Sequence, residues 1–175
     1  MAKALLLDLG RCIGCEACVV ACKTGNELPA GLAYIDLIEQ IRGTFPDLEG
    51  GFDNHRCWHC LDAACVAVCP TGALYKEDGM TRLNRSACSG CEYCVTSCPY
   101  DVPKMFEGKS SKCDACAEAT RAGGTPWCVS TCPSRALEYG ERDEILRSAR
   151  SRAESLRAHY PNAQVYGETQ AGGLG

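Results

Sequence analysis

A chain of 175 residues with 16 cysteines has room for one or two small domains. Its formal net charge of −4, with both signs interspersed and no basic stripe, excludes a nucleic-acid binder. No run of about 18 apolar residues is present, so the chain does not span a membrane. The apolar start at Leu5-Leu6-Leu7 is cut by Asp8 too soon for a signal-peptide core, which predicts a cytoplasmic protein unless a partner carries it out.

The first predicted element is a short buried strand over residues 3–9, closed by Gly10. Cys12-x2-Cys15-x2-Cys18-x3-Cys22 follows, and the i, i+4 step from Cys18 to Cys22 puts both thiols on one face of a short helix. Residues 23–56 form a long connection, punctuated by Gly25, Pro29, Gly31, Gly43, Pro46, Gly50 and Gly51. Its one candidate element is Ala33 to Ile41, read as a strand in preference to a short helix. The connection is either a flap covering the cysteine sites or a partner surface. Next come Cys57-x2-Cys60-x4-Cys65-x3-Cys69-Pro70, a β-hairpin over Leu74 to Leu83 that turns at Asp78-Gly79, and Cys88-x2-Cys91-x2-Cys94-x3-Cys98-Pro99. The fourth run, Cys113-x2-Cys116-x11-Cys128-x3-Cys132-Pro133, encloses Ala117 to Trp127, read as a loop because of Gly123-Gly124 and Pro126. From Glu141 to Tyr160 the positions Leu146, Ala149, Ala153, Leu156 and Tyr160 step by three and four, the seam of an amphipathic helix. Asp143 caps it and Pro161 stops it. Gly167 to Gly175 is Gly-rich and expected to be mobile unless a partner holds it.

Each run has three ligand-type cysteines and a fourth one helical turn further on. In bacterial ferredoxins such a fourth cysteine, before Pro, ligates the other of two clusters. A disulfide framework needs partners brought together across loops, which tight C-x2-C pairs are not. Zinc is the stronger rival, but it needs four ligands in one tetrahedron, whereas each fourth cysteine here points away from its own triplet. Paired [4Fe–4S] cubanes fit that pattern better.

An internal repeat orders the runs. Gly14-Cys15-Glu16-Ala17-Cys18-Val19 recurs as Gly90-Cys91-Glu92-Tyr93-Cys94-Val95, and Cys65-Val66-x2-Cys69-Pro70-x2-Ala73-Leu74 recurs as Cys128-Val129-x2-Cys132-Pro133-x2-Ala136-Leu137. The second run passes through its hairpin directly into the third, making a contiguous inner ferredoxin unit. By the same logic the fourth run feeds a strand, Ala136 to Gly140, that pairs with the strand before the first run. This predicts an outer split unit (residues 1–22 plus 100–140), a connecting flap (23–56), an inner unit (57–99) and a C-terminal helix and tail (141–175). The fourth-cysteine swap then assigns Cys12, Cys15, Cys18 and Cys132 to cluster 1, and Cys57, Cys60, Cys65 and Cys98 to cluster 2. Cluster 3 takes Cys88, Cys91, Cys94 and Cys69, and cluster 4 takes Cys113, Cys116, Cys128 and Cys22. Sequential pairing, first run with second and third with fourth, is the alternative.

Sixteen cysteines in this register, the wide fourth run and the absence of Pro after Cys22 resemble the four-cluster iron–sulfur subunits of molybdenum and tungsten oxidoreductases. The small subunits of dimethyl sulfoxide reductase, polysulfide reductase and formate dehydrogenase are of this type. The resemblance covers residues 3–140. A narrower likeness is to the polyferredoxin-like subunit of a bacterial tungsten aldehyde oxidoreductase. The resemblance implies an α+β fold of two nested ferredoxin-like units, four [4Fe–4S] clusters, and a non-catalytic electron-transfer role. It also implies a molybdenum- or tungsten-pterin catalytic partner and a second redox subunit, a flavoprotein or membrane anchor. A free-standing polyferredoxin is the alternative. The seam helix is expected to dock on a partner, head-to-tail self-association through residues 141–175 being one form of this. Its rival is packing back over the N-terminal strand.

Other residues are weighed singly. His55 and His59 flank the second run; a Rieske centre would need two His replacing two Cys, and no cysteine is missing. They read as polar neighbours of a cluster or as solvent-facing. Trp58 and Trp127 adjoin Cys57 and Cys128 and are expected to shield clusters from water. Lys23 either offsets cluster charge or is a solvated helix end.

Overall fold

The computed structural model describes residues 2–175 as an α+β chain. In chain order its elements are β1 (Lys3–Leu7), α1 (Ala17–Gly25), β2 (Ile35–Thr44), β3 (Asp47–Arg56), α2 (Ala64–Ala67), β4 (Leu74–Glu77) and β5 (Met80–Leu83). They continue with α3 (Tyr93–Ser97), β6 (Lys104–Phe106), β7 (Lys109–Ser111), α4 (Ala117–Arg121), α5 (Trp127–Ser130), β8 (Leu137–Glu141) and α6 (Arg142–Leu156). The strands pair only as β1–β8, β2–β3, β4–β5 and β6–β7 among the described residues.

The β1–β8 sheet runs antiparallel from Lys3↔Glu141 to Leu7↔Leu137, the pairing expected from the repeat. β1 stops before residue 9 because Asp8 is buried and its carboxylate takes the Gly10 N–H (2.9 Å) and Arg152 Nε (2.8 Å). The chain therefore turns at Asp8 into the first cysteine run. The β4–β5 hairpin turns at Asp78 (φ 51°) and Gly79 (φ 83°), the two positive angles that a type I′ turn requires. The Lys3 N–H donates to the Asp78 carbonyl at 2.8 Å, so this inner turn is tied directly to β1.

Residues 23–56 hold two strands rather than one. β2 and β3 pair over ten residues each, from Ile35↔Arg56 to Thr44↔Asp47. β3 escaped the sequence reading because Asp47, Gly50, Gly51, Asp53 and Asn54 are poor strand formers, and the register is carried by β2. The β6–β7 hairpin around Glu107-Gly108 was also missed, its strands being only three residues long. The stretch read as a loop from Ala117 begins as helix α4, with Ala117-Glu118-Ala119 favouring the helix and Gly123 (φ 80°) ending it.

Helices α1 and α3 start alike. Gly14 and Glu16 have φ of 68° and 58°, and Gly90 and Glu92 have φ of 76° and 63°. Each glycine also lies against a hairpin. A Cβ on Gly14 would meet the Phe52 ring of β3 at 2.3 Å, and one on Gly90 would meet the Gly108 carbonyl of the β6–β7 turn at 2.4 Å. The two hairpins thus cover equivalent cysteine loops, β2–β3 at the first run and β6–β7 at the third.

Helix α6 packs back on its own chain. Its buried face is Ile145, Ala149 and Ala153, set against β1 and β8. Ala149 and Ala153 are the members of the seam read in the sequence that are buried; Ile145 replaces Leu146 at its start, Leu146 and Leu156 are half-buried and Tyr160 is exposed. The tail is docked rather than free. The Leu61 N–H donates to Gly173 O (2.8 Å), the Gly175 N–H donates to Trp58 O (3.1 Å), and Arg142 Nε donates to Leu174 O (3.3 Å). Ile145→Ala is therefore expected to lower the midpoint of urea-induced cluster bleaching. The expected shift is equivalent to about 2–5 kcal/mol, the cost of an aliphatic cavity. An unchanged midpoint would mean that α6 contributes nothing to its own domain.

Candidate metal centres

The structure gathers the sixteen thiols into four groups, each drawing on distant parts of the chain. Cys12, Cys15 and Cys18 line one cavity with Cys132, beside Leu7, Leu37 and Leu137. Cys57, Cys60 and Cys65 line another with Cys98, beside Trp58, Tyr100 and Lys112. Cys88, Cys91 and Cys94 line a third with Cys69, beside Met105 and Ser110. Cys22, Cys113, Cys116 and Cys128 are all buried together. Asn26 Nδ2 donates to both Cys22 Sγ (3.6 Å) and Cys116 Sγ (3.8 Å), and Cys113, Cys128 and Cys116 each act electrostatically on Cys22.

Local geometry repeats between the halves. In the second and fourth runs the backbone after the fourth cysteine folds onto its sulfur, Leu74 N–H donating to Cys69 Sγ (3.5 Å) and Ala136 N–H to Cys132 Sγ (3.2 Å). Burial pushes both thiols up. For Cys69 the N–H groups and the Thr71 hydroxyl outweigh burial, and for Cys132 Ser134 and the N–H groups do, so both stay below the ordinary thiol value. The covering hairpins repeat this on the third cysteines. Asn54 Nδ2 of β3 donates to Cys18 Sγ (3.5 Å), and Ser110 Oγ of β7 lies 3.3 Å from Cys94 Sγ.

The fourth group is the most enclosed and has the most charge around it. Asn54 and Arg56 lie two apart on β3 and so share a face. Arg56 is 2% exposed, and its Nη2 donates to Cys128 Sγ at 3.3 Å. Lys112, also 2% exposed, donates to Thr81 O (2.8 Å) and to Cys113 O. Burial pulls both cations down, but the surrounding thiolates more than offset it and their net shift is upward. His59 is 0% exposed, so it is not solvent-facing. The Thr81 N–H donates to its Nδ1 (3.1 Å), which leaves the proton on Nε2, 3.6 Å from Cys113 Sγ. Burial, then Lys112, Arg56, Lys76 and Arg82, lower its pKa and keep it neutral.

The donor sets fit iron–sulfur cubanes. All sixteen cysteines are free thiols, so no disulfide framework forms. A zinc ion would draw four sulfurs to one point, whereas here the thiols ring cavities. N–H groups aimed at sulfur stabilise thiolates, the form that binds iron. Where burial is deeper it prevails, pushing Cys65 up to about 11 and Cys113, despite the Ala115 N–H at 3.4 Å from its sulfur, up to about 12.

The sequence reading named all sixteen thiols but missed Asn54, Arg56 and Lys112. One signal was available: a basic residue stands just before the first cysteine of three runs, as Arg11, Arg56 and Lys112. Lys23 stands in the last turn of α1, and its ammonium ties the following loop by donating to Pro29 O (2.9 Å) and Leu32 O (3.0 Å). Trp58 lines the second cavity, edge-on to Tyr100 with centroids 6.4 Å apart, whereas Trp127 lies over Gly25 and stays 43% exposed.

Nested ferredoxin-type halves with four rings of thiols define a polyferredoxin-like iron–sulfur protein. Two models described as 4Fe-4S dicluster domain match residues 48–142 and residues 11–73. The chain is 43% identical over 150 residues to the thiosulfate reductase electron transfer subunit PhsB of Salmonella typhi, covering 80% of this chain and 76% of the relative. It is 36% identical over 152 residues to the B subunit of anaerobic dimethyl sulfoxide reductase of Escherichia coli K12, covering 81% and 74%. It is 39% identical over 143 residues to Protein NrfC of the same strain, covering 78% of this chain and 64% of that protein. The chain belongs to the 4Fe–4S dicluster family, and it carries four [4Fe–4S] clusters.

Proposed function

We propose that this chain is the electron-transfer subunit of a larger oxidoreductase, with its four clusters arranged as a wire. The observation that carries this reading is the set of four thiol rings, each closed by a cysteine from a remote run. We propose the four sets that the fourth-cysteine swap assigns as the ligand sets, supported by the thiols that lie together in each ring. The role is non-catalytic, in keeping with the names of its relatives: an electron transfer subunit in thiosulfate reductase and the B subunit in dimethyl sulfoxide reductase.

Neighbouring rings are joined by short structural links. Cys18 and Cys22 stand one turn apart on α1, linking the first and fourth rings. Cys65 lies in α2 with Cys69 just beyond it, and Cys94 lies in α3 with Cys98 at its C-terminal end, linking the second and third. His59 and Lys112 lie between the second and fourth. The order along the wire is thus third, second, fourth, first. The nested division stays part of this reading, with one adjustment: the 104–111 hairpin belongs to the inner unit. Lys109 donates to Arg85 O, and Ser110 reaches Cys94.

Partners are expected at both ends of such a wire. We assign one end to a molybdenum- or tungsten-pterin catalytic subunit and the other to a flavoprotein or membrane-anchor subunit. Exposed Leu9, Ile13 and Val20 near the first ring, and Ile41, Phe45 and Leu48 at the tip of β2–β3, supply apolar surface for such contacts. Head-to-tail self-association through residues 141–175 has less to work with, since Ile145, Ala149 and Ala153 are taken up by β1 and β8. No described helix is long and apolar enough to cross a membrane. We place the subunit in the cytoplasm, with co-export alongside a partner as the alternative.

Purification from the native host tests the proposal. The subunit should elute with a protein containing molybdenum or tungsten. Elution of the loaded chain alone would favour the free-standing polyferredoxin.

A further inference from the structure

Arg56 is the one guanidinium that touches a cysteine sulfur of the fourth ring, and it is fully enclosed. Its position is fixed by β3 register opposite Ile35, itself a core residue. Nη2 donates to Cys128 Sγ, while Nε and Nη1 have no acceptor in the protein. Buried donors are almost always satisfied, so two that are not point to an acceptor supplied by something bound there. Cys18, Cys22, Cys113 and Cys128 all lie within its electrostatic reach. A cubane held by the fourth ring offers sulfur acceptors in that same space.

We infer that Arg56 is a positioning residue for electron transfer, donating to the sulfurs of the fourth-ring cluster and holding its reduced form. This rests on the four-cluster reading above. Reduction adds one electron to that cluster, and a neighbouring cluster in the wire is oxidised by one. A fixed positive charge against the sulfurs stabilises the more negative, reduced state and so raises its potential. A dry, enclosed site alone does the opposite, because burial penalises added charge. No proton accompanies the electron, since a guanidinium stays charged at every working pH. The site therefore combines an enclosure that lowers the potential with a cation that restores it.

The experiment is a potentiometric titration of the anaerobically purified holoprotein, followed by electron paramagnetic resonance and iron analysis, for wild type, R56M and R56K. Iron at about sixteen atoms per chain in wild type tests the four-cluster reading separately. In R56M one cluster should become at least tenfold harder to reduce, about 59 mV for one electron. That cluster should be the one whose signal disappears in Cys116→Ser. R56K, which keeps the charge, should recover most of the difference. Four midpoints unmoved in a fully loaded R56M would overturn the inference. So would an equal shift of all four, or a tenfold loss in R56K as large as in R56M. Failure of both variants to load the fourth cluster would also overturn it, leaving Arg56 a purely structural role.

Discussion

Replacing Cys132 by alanine is expected to remove the cluster held near the N-terminus, at the far end of the sequence, and to spare the one held by its own run. Cys132 follows Cys128 by one helical turn, yet it lines a cavity with Cys12, Cys15 and Cys18. Its loop, Cys132-Pro133-Ser134, folds the Ala136 N–H onto the sulfur at 3.2 Å, and β8 then carries the chain onto β1. Loss of that thiol leaves the first ring with three ligands. The variant should retain about twelve of about sixteen iron atoms, with the resonance of one cluster missing. Cys98→Ala should act likewise on the cluster of Cys57, Cys60 and Cys65. Disappearance of the Cys113 cluster in Cys132→Ala would establish sequential pairing instead.

The second large effect is on stability. Removing iron with a chelator under anaerobic conditions should unfold the chain. One buried hydrophobic cluster is made of Cys22, Ile35, Cys128 and Leu137, with Leu7, Val19 and Tyr34 among those packed around it. Two of those four are thiols, and among the described residues no sheet has more than two strands. Isolated two-stranded sheets are marginal in water. In small metal-dependent domains the binding energy is the folding energy. Circular dichroism should lose its helix and strand signals, and limited proteolysis should lose all protected fragments. Ligation requires thiolates, so cluster retention should also fall as the pH is lowered. A chelated chain that still melts cooperatively would contradict this account.

Several features were legible in the residues themselves. The Asp78-Gly79 turn carries its own chemistry, and the repeat placed Ala136 to Gly140 against the N-terminal strand. Cysteine spacing names a triplet, because the three thiols are local. The remote thiol joining each ring could be named only through the repeat. Other features had no local signal. β3 is assembled from polar residues and glycines because β2 carries its register. The tail reads as loose by composition, yet backbone hydrogen bonds at Leu61 and Trp58 hold it. Arg56 and Lys112 look like surface charges in a sequence, where buried cations are rare. Only neighbouring thiolates, brought in by the fold, make their burial tolerable.

The most direct test is diffraction from the loaded protein at the iron absorption edge. The account predicts four iron cubes, with Cys132 bonded to the cube of Cys12, Cys15 and Cys18, and Cys22 to that of Cys113, Cys116 and Cys128. Fewer than four cubes, or Cys132 bonded to the cube of Cys113, would contradict it.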